Sequence, residues 1–153
     1  MCIPTSKLNL LLVFYFVAFG LGGVLTFPVM DKIGRRKTHY IFSTLHLIGQ
    51  ALIVFTVTYW GKAAGYLIIG FAMAKNSLCY TWLFEFMVKE KKGVANTVIN
   101  TFEFSIMFIS GFYFLLVSND TKPLIIGFFL VSGVTGWLIV TLLVTESPKW
   151  LLL

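Results

Sequence analysis

Five long apolar stretches, each long enough to cross a lipid bilayer, leave this chain few folds to choose from. Residues 8–30 contain no charge, and neither do residues 38–61 or 123–145. Residues 63–86 carry only Lys75 before Glu85, and residues 94–118 carry only Glu103. A helix needs roughly 20 apolar residues to traverse about 30 Å of hydrocarbon, and every stretch meets that length. A membrane barrel would instead show about ten residues of alternating polarity per strand. Continuous runs satisfy the backbone in lipid only as helices. The first run is too long for a secretory leader, has no basic cluster before it and ends in charge, so it reads as a true span. The expected fold is therefore all-α and integral to the membrane, with five transmembrane helices forming one domain over residues 1–153. Expected spans cover about 8–30, 38–61, 63–86, 94–118 and 123–145.

Charge placement gives the orientation. The chain has a net charge of +6 and only 12% charged residues, half of what water-facing domains carry, about 25%. Lys32, Arg35, Arg36, Lys37, Lys89, Lys91, Lys92 and Lys149 fall on one side; Lys7, Lys62 and Lys122 fall on the other. The basic-rich side is expected to be cytoplasmic, with the N-terminus outside or lumenal and the C-terminus cytoplasmic. The basic charge thus marks topology and argues against a nucleic-acid partner; the lipid bilayer is the expected surrounding. Cys2 and Cys79 fit neither a disulfide framework nor a metal spacing. A nucleophile–base pair, a metal cluster and a phosphate-binding loop are all missing from the sequence, which argues against an enzyme and implies no cofactor.

Between the spans the loops are at most about eight residues long, so sequential helices are expected to be antiparallel neighbours. Glycines at 20, 22 and 23, at 61, 65 and 70, and at 133 and 136 would permit the close approach that drives helix packing in lipid. Tyr59, Trp60 and Trp150 suit interfacial belts.

Three segments carry a family resemblance. Asp31-Lys32-Ile33-Gly34-Arg35-Arg36-Lys37, between the first two spans, is similar to the major facilitator signature between helices 2 and 3. The signature's leading glycine is Phe27 here. Thr145-Glu146-Ser147-Pro148-Lys149-Trp150-Leu151 resembles the segment that follows helix 6 in the sugar-porter and organic-ion-transporter branches. Tyr80, Glu85 and the run from Lys89 to Lys92 resemble the end of helix 4, with Val88 in place of a proline and Lys92 in place of an arginine. The chain therefore resembles helices 2 to 6 of a major facilitator transporter, a partial N-terminal bundle. The resemblance implies a preceding helix and a C-terminal half as partner, in a carrier for a small-molecule solute such as an organic ion or sugar. It further implies a cytoplasmic gating cluster of Asp31, Gly34, Arg35, Arg36, Glu85, Lys92, Glu146 and Lys149. The departures at Phe27, Val88 and Lys92 favour a second reading, a transport-inactive membrane interaction protein or relic of a transporter gene.

Lys75 sits where a charge costs roughly 2.5–3.5 kcal/mol on insertion scales, which marks it as a candidate for substrate binding or ion coupling. At helical spacing it shares a face with Cys79, Trp82 and Phe86. Asn96, Asn100, Glu103, Met107 and Ser110 form a polar stripe on the fourth span, expected to face protein or water. Pairing of Lys75 with Glu103, or a cavity shared by both, is the resulting expectation. His39 and His46 receive no role, because the resemblance places their helix away from the cavity.

Overall fold

The computed structural model describes residues 4–117, 120–143 and 145. Helix α1 spans Thr5–Ile33 and α2 spans Arg35–Phe55. The third span is built from α3 (Tyr59–Ala72) and α4 (Lys75–Phe86). A short 3₁₀ turn, Lys89–Lys91, leads into α5 (Lys92–Leu116). The last span runs through α6 (Thr121–Leu124), a π-helical stretch at Ile125–Leu130, and α7 (Val131–Leu143). Among the described residues, five helical stretches are thus long and apolar enough to cross a membrane, and the architecture is all-α and multi-pass.

Burial is distributed as a lipid solvent requires. The interior holds Thr26, Arg35, Thr38, His39, Ser43 and Gln50, whereas Val24, Phe55, Phe102 and Leu115 point outward. In hydrocarbon the outer face gains nothing by being polar, and polar groups are driven inward to find partners. Hydroxyls that do face outward satisfy themselves. On α5, Thr97, Thr101, Ser105 and Ser110 each donate to the carbonyl four residues back, at 3.1, 2.8, 2.7 and 2.9 Å.

Helix contacts depart from simple sequential pairing. α1 packs chiefly on α3, and α3 also packs on α2, while α1 and α2 meet much less. Glycine sets these approaches. A Cβ on Gly22 would lie 2.3 Å from the carbonyl oxygen of Phe71, and one on Gly70 would lie 2.3 Å from that of Tyr15. Gly49 and Gly65 face each other in the same way across α2 and α3. Gly20, Gly23 and Gly136, which the sequence also offered for packing, have nothing within 4 Å of such a Cβ. No residue of α5 is buried, so α5 is not the closely packed neighbour that its short loops implied.

The α1–α2 connection is a single residue. Gly34 has φ 103° and ψ 156°, a region open in practice only to glycine. Its amide donates to the Met30 carbonyl at 3.1 Å, and its own carbonyl accepts from the Thr38 hydroxyl at 2.7 Å. Gly34→Val is expected to lower stability by about 1–3 kcal/mol, read as a fall in the apparent melting temperature of purified protein. An unchanged melting temperature would mean the turn is formed differently.

Candidate functional site

The turn at Gly34 positions a charged cluster at the basic-rich end of the bundle. Because Arg35 opens α2 directly after the reversal, its side chain points back beneath α1 and across to α4. Its Nη1 donates to Asp31 Oδ1 at 2.9 Å and its Nη2 to Glu85 Oε1 at 3.1 Å. The Arg35 side chain is 4% exposed and that of Glu85 12%, whereas Asp31 is 66% exposed. One guanidinium fork therefore bridges two helices through two carboxylates, a geometry that lysine cannot copy. Arg36, one residue on, turns to a different neighbour and donates to the Thr141 carbonyl on α7. Lys92 begins α5 and makes no ion pair among the described residues, since Glu85 is taken by Arg35. Glu146 and Lys149 lie outside the described residues.

Above this cluster the helices converge on an apolar plug. Met30, Leu78 and Trp82 form a buried core, with Val140 packed against it. The Trp82 ring lies 5.9 Å from that of His39. Trp82 is buried in this core, whereas Lys75, which shares its face at helical spacing, borders the space beyond.

Beyond the plug opens a cavity of about 520 Å³ between α2, α4, α5 and α7. Lys75 and Asn76 line it from α4; His39, Ser43, His46 and Gln50 line it from α2. The histidines, given no role on sequence grounds, are therefore cavity residues. Their signal was present: residues 39, 43, 46 and 50 repeat at i, i+4, i+7 and i+11, the spacing of one helix face. Gln50 Nε2 and His46 Nε2 are 3.0 Å apart. With the amide donating, the neutral imidazole carries its proton on Nδ1, and that atom and Gln50 Oε1 are buried without a partner among the described residues. On the far wall, Trp137 Nε1 donates to Thr44 Oγ1 at 3.0 Å and so ties α7 to α2.

Glu103 does not meet Lys75. It lines a smaller groove between α4 and α5 with Cys79 and Tyr80, and the Tyr80 hydroxyl donates to Asn100 Oδ1 at 3.4 Å. No Lys75–Glu103 ion pair forms among the described residues. The two side chains leave α4 and α5 toward different spaces, so the expected shared cavity is not found. Phe86, the last member of the predicted α4 face, is exposed. Phe27, where the signature has glycine, also points outward. The buried face of α1 there is Gly22, Thr26 and Met30, and so the larger side chain displaces no neighbour.

Comparison with known proteins agrees with this architecture. A family profile described as sugar (and other) transporter matches residues 2–153. A D-xylose transporter of Levilactobacillus brevis is 25% identical over 118 residues, which cover 76% of this chain and 23% of that transporter. The chain thus spans less than a quarter of the length of that relative.

Proposed function

Because the chain belongs to the sugar (and other) transporter family, we propose that it forms the membrane-embedded core of a carrier for a small organic solute, working by alternating access. The observation that carries this reading is the vertical order of parts. A cavity of about 520 Å³, bordered by Lys75, His46 and Gln50, sits above an apolar plug, and the plug sits above the Arg35 fork that holds α2 to α4. That volume falls in the range of small-molecule sites, roughly 300–1,000 Å³. With the basic loops cytoplasmic, the plug and the fork close the cytoplasmic side, an arrangement suited to an outward-facing state. Asp31, Arg35 and Glu85 act as the latch, with Gly34 setting its position and Arg36 clamping α7. Glu146 and Lys149 join the proposed latch on the strength of their sequence motif, and a C-terminal half completes the path. Lys75 is the foremost solute-contacting residue. Asn100 and Glu103 serve the smaller groove.

Uptake by the native protein in proteoliposomes tests this. Radiolabelled D-xylose, the solute named for the bacterial relative, and a panel of organic anions and cations should include one taken up saturably above protein-free vesicles. Absence of saturable uptake across the panel would sink the carrier reading in favour of a transport-inactive interaction protein.

A further inference from the structure

We propose that the solute accepted by this cavity is an anion, a small hydroxylated or aromatic carboxylate, and that Lys75 is its charge partner. The proposal rests on the reading of the cavity as the solute site. Three observations carry it. First, Lys75 is the sole fully charged side chain among the described lining residues, which include no aspartate or glutamate. Second, the nearby carboxylates are committed elsewhere: Glu85 is bridged by Arg35 at the cytoplasmic end, and Glu103 opens into the separate groove beyond Cys79. The Lys75 ammonium makes no ion pair among the described residues, although charge at this depth of a membrane is kept only where it is neutralised or used. Third, a neutral hydrogen-bond donor stands beside the ammonium. The Asn76 side-chain amide, next to Lys75 in the chain, borders the same space and can donate. An ammonium beside an amide donor is complementary to a carboxylate, whereas a cation would meet like charge with no compensating acid. Phe129 and Trp137 on the opposite wall give an apolar surface against which a ring can lie.

Matched pairs separate the charge from the rest of the solute. D-glucuronate differs from D-glucose in its carboxylate, and benzoate differs likewise from benzyl alcohol. In equilibrium binding to the native protein in nanodiscs, at least one acid should bind about tenfold or more tightly than its neutral partner. Lys75→Gln should bring the acid down to the level of its partner, and Lys75→Arg should retain the preference. Circular dichroism on both variants checks that the helices are intact. Binding of either neutral compound with no advantage for its acid leaves the solute site standing and overturns the charge assignment. An acid preference that survives in Lys75→Gln overturns that assignment equally. Failure of all four compounds to bind overturns both the anion assignment and the reading of the cavity as a solute site.

Discussion

Leucine in place of Gly70 is expected to leave little folded protein in the membrane. A Cβ at that position would lie 2.3 Å from the carbonyl oxygen and 3.0 Å from the carbonyl carbon of Tyr15. These are backbone atoms, and no rotamer change can move them aside. Overpacking against flexible side chains costs about 1–3 kcal/mol. A backbone collision requires α1 and α3 to separate, which exposes no new hydrophobic penalty in lipid but forfeits the close packing that holds membrane helices together. The loss should exceed about 3 kcal/mol. Gly22→Leu should behave alike, since its Cβ would meet the Phe71 carbonyl at the same distance. Gly20→Leu and Gly23→Leu, on the same span as Gly22 with open space around them, should stay within about 0.5 kcal/mol of the native protein. Fluorescence-detected size-exclusion after stepwise heating would rank the four. Equal stability for Gly70→Leu and Gly20→Leu would disprove the crossing.

The second large effect is expected at Arg35. Arg35→Gln removes both charge-assisted hydrogen bonds at once and takes the guanidinium away from Glu85, whose side chain is 12% exposed. Removing one member of a buried pair costs about 3–5 kcal/mol, mostly through the charge left behind. On the proposed carrier reading, saturable uptake should fall by an order of magnitude or more, because the basic-rich end loses the bridge from α2 to α4. Adding Glu85→Gln should recover part of the stability by removing a largely buried carboxylate that has lost its guanidinium. The double variant is then more stable than the sum of the two single losses predicts, a coupling that a mutant cycle reads directly. Strict additivity would mean that the two residues do not act on each other. Arg35→Lys should fall between, holding one carboxylate at a time.

How far the sequence could be read depended on whether a feature is set by composition or by rotation. Span number, helix class and family follow from long apolar runs and short spaced motifs, which survive any error in helix phase. Neighbour identity does not. Successive residues diverge by about 100° around a helix, so adjacent arginines part company: Arg35 reaches Glu85 and Arg36 reaches Thr141. The face drawn through Lys75, Cys79, Trp82 and Phe86 is correct for an isolated helix. Its surroundings change along its length, however, from open cavity to groove to closed plug as the helices converge. The third span is also not one helix. At Met73 the amide donates to both Ile69 and Gly70 at 2.9 and 3.2 Å, a tightened turn that shifts α4 in phase against α3. Gly65 was legible as a packing residue, but its partner Gly49 was not, because pairing lies between spans and spacing lies within one. The α2 stripe of His39, Ser43, His46 and Gln50 was legible in principle and lost to an analogy about which helix lines a cavity.

The back-bonded hydroxyls of α5 bear on how such a chain enters a membrane. A serine or threonine that donates to its own helix brings its acceptor with it, so it can leave the aqueous insertion channel without waiting for another span. Thr97, Thr101, Ser105 and Ser110 all do this, and the fourth span can partition alone, early in synthesis. Asn100 and Glu103 have no such local outlet. Glu103 borders the groove against α4, and Asn100 accepts from the Tyr80 hydroxyl of that helix.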